Sequence, residues 1–187
     1  MTISGGFTQT ANVRPTTHAE VLLAVASKIQ FLIPAFSTDG TCFISDSPWP
    51  PVEMTDNLFC TVAPSDGQFD DGLMDGAGNL GVAEETFIQI TVYSRIETDQ
   101  IEHFLQGMAD PERGLLTLKQ QLLTALAGKN LDGGTYQDDG SMLLHEGMRP
   151  ARAGHKPRSD KSDDFASFSL AFRVKFTWDL GSTSSVF

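Results

Sequence analysis

Residues 168–180 read FSLAFRVKFTWDL. If this stretch is extended, Phe168, Leu170, Phe172, Val174, Phe176, Trp178 and Leu180 fall on one side, and Ser169, Ala171, Arg173, Lys175, Thr177 and Asp179 on the other. Unbroken period-two alternation marks a half-buried β-strand. A strand this long, with one apolar face, needs neighbours on both edges and a second layer over that face. The rest of the chain supplies both.

The covering layer is legible in two helical patterns. Thr17-His18-Ala19-Glu20 is a capping box, in which the threonine oxygen accepts from the third helical amide while Glu20 reaches back. Leu22, Val25, Ala26, Ile29, Leu32 and Ile33 follow at helical spacing and end at Pro34. Asp110-Pro111 predicts a second long helix running to about Ala127, with Leu115, Leu118, Leu122, Ala125 and Leu126 as its buried stripe. An Asp-x-x-Glu cap at Asp99 and Glu102 predicts a short helix over 99–106.

Further strands are expected at 57–63 and 86–95, with shorter ones at 41–45 and 141–146. In the 86–95 strand one face carries Ile88, Ile90 and Val92, and the other carries Phe87 and Tyr93, which points to contact beyond the helices, with another subunit. The Trp49-Pro segment is expected to pack over the core edge. The element order predicts an α+β fold: a mainly antiparallel sheet of about four strands with two long helices on one face. The 187 residues are expected to form a single domain. Within it, residues 1–16 read as a flexible arm, 64–85 as a long acidic hairpin loop, 147–164 as a basic extended segment and 181–187 as a tail.

Charge is distributed unevenly. The chain has 24 acids against 13 Lys and Arg, a formal charge of −11, which disfavours a general nucleic-acid binder. Residues 147–187 reverse the balance, with seven bases against four acids. An acidic body with a basic segment is self-complementary between copies of one chain. Arg149, Arg152, Lys156, Arg158 and Lys161 are therefore candidates for contact with an acidic partner, joined by Phe87, Tyr93, Arg173 and Lys175 on the second strand faces. The 64–85 loop holds six acids, no base and five glycines and reads first as a solvated, flexible loop, with Asp66, Asp70, Asp71 and Asp75 as candidates for a channel lining or partner contact. An Asp-rich lining repels phosphates.

Motifs of catalysis are missing from the sequence: no GxSxG, no GxxxxGK[ST], no HExxH and no GxGxxG after a strand. Neither cofactor nor metal is expected. Asp66 and its neighbours carry oxygen ligands of the type calcium takes, but the twelfth position from Asp66 is Ala77, not the glutamate of an EF-hand. Cys42 and Cys60 lack CxxC spacing and read as buried free thiols. Residues 1–14 show no basic region followed by an apolar segment, and no run approaches the ~20 apolar residues of a membrane helix, so a cytoplasmic protein without membrane contact is expected.

Taken together, the 86–95 strand, the 99–106 helix, the helix Gly114-Leu-Leu-Thr-Leu-Lys-Gln-Gln-Leu-Leu-Thr-Ala-Leu126 and the closing strand resemble a tailed-bacteriophage tail terminator, also called a tail-completion protein. The likeness spans residues 17–180 and rests on element order and strand character. It implies a structural, non-enzymatic virion protein that forms a homo-oligomeric ring, commonly a hexamer. Such a ring caps the tail-tube protein and joins it to head or neck connector proteins, leaving a bore through which DNA passes without specific binding. The implied location is the tail or neck of a virion assembled in the bacterial host cytoplasm. A neck, connector or tail-tube subunit is the nearest alternative; a small calcium- or ligand-binding module using the 64–85 loop is the alternative from another class, and a hydrolase ranks third.

Overall fold

A computed structural model describes residues 16–38, 41–46, 58–70, 83–95, 114–131, 142–156 and 165–178. Helix α1 (His18–Leu32) leads through a single 3-10 turn (Pro34–Phe36) to strand β1 (Cys42–Ile44). Strands β2 (Leu58–Asp70) and β3 (Ala83–Arg95) follow, then helix α2 (Leu115–Leu126) and strands β4 (Arg149–Lys156) and β5 (Phe165–Thr177). The five strands form one sheet in the order β1-β2-β3-β5-β4, in which only the β1–β2 pair is parallel. The architecture is α+β as expected, with five strands rather than about four.

The closing strand sits where its length requires, between β3 and β4. Its apolar side chains Phe168, Leu170, Phe172, Val174 and Phe176 are all buried. They join Cys60 and Val62 of β2 and Ile88, Ile90 and Val92 of β3 in one continuous core. Over this face α1 packs on β1 and β2 while α2 packs on β5, and the two helices touch each other. Val21, Leu22, Val25, Ala26 and Ile29 bury the inner stripe of α1, and Leu115, Leu118, Leu122 and Leu126 that of α2. Leu32, expected in the stripe, is 43% exposed, because the helix ends there and Ile33 turns inward instead.

The capping box forms in full. Glu20 N donates to Thr17 Oγ1 at 3.2 Å, and Thr17 N donates to Glu20 Oε2 at 2.9 Å. Just before it, Thr16 N donates to Thr177 O at 2.8 Å, so the start of α1 is tied to the end of β5. Thr16 is fully buried and belongs to the fold, which shortens the expected arm to residues 1–15, outside the described residues.

Three other boundaries move. β2 continues to Asp70 and β3 begins at Ala83, so residues 64–70 and 83–85 of the expected 64–85 loop are strand, and 71–82 lie outside the described residues. The strand expected at 141–146 is displaced to Arg149–Lys156, inside the segment read as basic and extended. Helix α2 is capped at Gly114, not at Asp110, and the capping signal at Asp110 lies outside the described residues. So do the 99–106 helix, Trp49 and the 181–187 tail.

Cys42 and Cys60 are buried free thiols, as expected, and are direct partners across the β1–β2 pair. Burial, followed by the Cys42 neighbour, pushes the Cys60 thiol well up, which keeps it protonated and inert. No helix among the described residues is long and apolar enough to cross a membrane.

Candidate subunit interface

Among the described residues the helices cover one face of the sheet; the other is buried at its Phe59, Thr61, Thr91, Tyr93 and Ser167 end and more open towards Phe87, Arg173 and Arg149. Directly opposed residues on neighbouring strands share a face, so the ladder shows what the other face carries. Tyr93 pairs with Ser167, Thr91 with Ser169, Gln89 with Ala171, Phe87 with Arg173 and Glu85 with Lys175. On the far side of β5, Arg149 stands opposite Arg173, and Arg152 opposite Ala171.

That last pair depends on an irregularity. In a regular strand Arg149 and Arg152, three positions apart, would point to opposite faces. The register slips between Pro150 and Arg152, and the extra residue turns Arg152 to the same side as Arg149. Proline has no N–H to give to a ladder, so an edge strand or a bulge is where it is tolerated. Pro150 occupies both. The bulge therefore gathers Arg149, Arg152 and Arg173 on the helix-free face, with Phe87 in the same row as Arg149 and Arg173.

The charges are exposed and lightly tethered. Arg173 Nη1 lies 3.3 Å from Glu85 Oε1, with both side chains about two-fifths exposed. Arg149 Nη2 lies 2.7 Å from Glu146 Oε2, with both more than half exposed. A guanidinium has five N–H donors, so one exposed carboxylate orients it without exhausting it. Arg152 is exposed, as is every described side chain from Arg149 to Gly154. Beyond Arg173 the edge of β5 is taken by the 142–148 segment: His145 N donates to Lys175 O at 2.8 Å, and its Nε2 lies 2.6 Å from Thr177 Oγ1. Burial, and then the Lys175 ammonium, push the His145 pKa down.

Tyr93 does not belong to this surface. It is buried within the single chain and stacked on Phe59, ring centroids 4.9 Å apart and planes at 18°. Phe87, half-buried, stays with the arginines. The backbone of Lys156 lies opposite Ser167, while Arg158 and Lys161 lie outside the described residues.

The acidic candidates separate in the same way. Asp66 is exposed, at the bulge of β2 between Pro64 and Gly67. Asp70 closes the described part of β2, and Asp71 and Asp75 lie outside the described residues. Glu84 and Glu85, near the start of β3, are committed to Trp178 and Arg173. Glu84 is buried, its Oε2 accepting from Trp178 Nε1 at 2.7 Å. Among the described residues no group of three or more His, Cys, Asp or Glu side chains could hold a metal ion.

No protein-family model and no curated protein matches the chain. Solved structures similar to it include two from virion and injection-system assemblies. One is a chain from the virion of a native gene transfer agent particle, at 17% identity and a TM-score of 0.47, covering 84% of this chain and 94% of that one. The other is the sheath/tube terminator of PVC, an extracellular contractile injection system, in its extended state. It has 14% identity and a TM-score of 0.44, and covers 91% of this chain and 60% of that one.

Proposed function

We propose that this protein is a structural subunit of a phage-type tail, which associates with its own copies into a ring that caps the tail tube and joins it to the head or neck. The single observation that carries the reading is the one-sided sheet: among the described residues helices pack on one face, while the other carries exposed Arg149 and Arg152 beside half-buried Arg173 and Phe87. A stable apolar core beneath an exposed charged face suits a subunit whose work is association. The role is structural rather than catalytic, and DNA passes through the ring's bore without specific binding, as the net charge of −11 favours.

Native mass measurement and electron microscopy of the purified protein, alone and with tail tubes, test this. The expected result is a closed ring, found at one end of the tube. A protein that stays strictly monomeric with tubes present refutes it.

A further inference from the structure

We propose that the two edges of the sheet are complementary halves of one repeating contact, so that the β5–β4 edge of each copy seats against the β1–β2 edge of the next. The inference rests on the assembly reading above and specifies which surfaces meet.

The first support is the charge carried by each edge. Among the described residues from Cys42 to Asp70, the span that holds β1 and β2, there are three acids, Asp46, Asp66 and Asp70, and no base. Among those from Met142 to Thr177, the span that holds β4 and β5, there are five bases, Arg149, Arg152, Lys156, Arg173 and Lys175, and one acid, Glu146. Exposed Asp46 and Asp66 mark the first edge, and exposed Arg149 and Arg152, with Arg173 behind them, mark the second. β3 lies between. One sheet is thus acidic at one end of its strand order and basic at the other.

The second support is level. The β2 bulge that contains Asp66 stands opposite Phe87, between the Gly67–Thr86 and Pro64–Ile88 pairs. Phe87 stands opposite Arg173, and Arg173 opposite Arg149. Asp66 and Arg149 therefore lie at the two ends of one row across the sheet. Ile44 pairs with Val62, which places Asp46, two residues on, close to the same level. Copies set side by side need no slide along the strands to bring Asp66 and Asp46 against Arg149 and Arg152. A head-to-tail contact of this kind closes into a ring when it carries no rise.

The third support is the nature of the edges. Pro150, the adjoining bulge and flanking arginines are the devices that stop an edge strand from recruiting another by backbone pairing. The contact is consequently made by side chains. Opposite charges at a rim set partner choice and association rate, and they weaken with salt.

A charge swap tests the geometry. One variant carries Arg149→Glu and Arg152→Glu, the other Asp46→Lys and Asp66→Lys, with folding of each checked by circular dichroism and thermal melting. Native mass spectrometry at low and high salt follows assembly. The wild type is expected to assemble, each variant alone to associate at least ~10-fold more weakly, and the equimolar mixture to recover assembly with equal numbers of each. In an alternating ring every junction is then acid against base. Arg152→Glu alone, at an exposed position, is expected to weaken assembly without altering the melt. Folded variants that assemble as the wild type does, or a mixture that recovers nothing, overturn the edge contact while leaving the assembly reading intact. A wild type that is monomeric under all conditions, tubes included, overturns both.

Discussion

Replacing Phe172 by alanine measures how much of the fold rests on the closing strand. Its side chain is fully buried at the middle of β5, opposite Ile88 on β3 and Pro150 on β4. Removing the ring forfeits a transfer free energy of about 1.5–3 kcal/mol, and the surrounding strands and helices cannot collapse fully into the space, so a loss of about 3–5 kcal/mol is expected. Set against a total stability of about 5–15 kcal/mol for a natural domain, that is a large fraction. For a chain of this size it corresponds to a fall in Tm of about 6–20 °C. Urea unfolding followed by circular dichroism reads it as a lower midpoint at unchanged slope. The control is Ser169→Ala, three rows away on the opposite face of β5, expected to stay within about 0.5 kcal/mol. If Phe172→Ala costs less than about 1 kcal/mol, or Ser169→Ala costs as much, the assignment of the two faces is wrong.

Two further perturbations probe particular contacts. A β-carbon at Gly67 would overlap Glu84 Oε1 and crowd Thr86, so Gly67→Ala should push the buried carboxylate off Trp178. The expected outcome is a shift in tryptophan emission with a stability loss of about 1–3 kcal/mol; unchanged fluorescence would show that Glu84 does not hold the indole. Burial raises the Tyr93 phenol from its ordinary value of 10.0 to about 12, against the opposing hydrogen bonds of Thr61 and Thr91. The fold favours the protonated phenol, so this contribution is complete below pH ~10 and lost as pH rises toward about 12. Urea midpoints measured across that interval should fall for the wild type and fall less for Tyr93→Phe; equal slopes would contradict the assignment.

What the sequence discloses depends on whether burial or pairing decides an element. β5 alternates because one face is sealed by helices, and its register follows from that burial alone. The stripes of α1 and α2 and the Thr17 capping box are visible for the same reason: their causes are local or periodic. β4 is different. Arg149-Pro-Ala-Arg-Ala-Gly-His-Lys156 has neither alternation nor β-branched residues, and becomes a strand because β5 offers it an edge. The outer part of β2, with Ser65, Asp66, Gly67 and Gln68 exposed, is likewise held by pairing to β3 rather than by a buried face. The Tyr93–Phe59 stack joins residues 34 positions apart, so no local pattern announces it. The signal available for the arginine cluster was Pro150, which marks an edge or a bulge wherever it falls in a strand.

The same alternation that builds the core also frees the opposite face. Even-numbered positions of β5 hold the fold together through apolar burial, whereas Arg173 meets only a partly exposed Glu85. Exposed ion pairs contribute about 0–1 kcal/mol, so neither Arg173–Glu85 nor Arg149–Glu146 is needed to keep the chain folded. Three arginines are nonetheless gathered on one face, and Arg152 joins Arg149 and Arg173 there only through a register slip after Pro150 that gives up ladder regularity. A slip that contributes nothing to the core and unites like charges is unfavourable for the isolated subunit. It becomes favourable when an acidic surface arrives to meet those charges, and in the proposed edge contact that surface is the Asp46 and Asp66 edge of another copy.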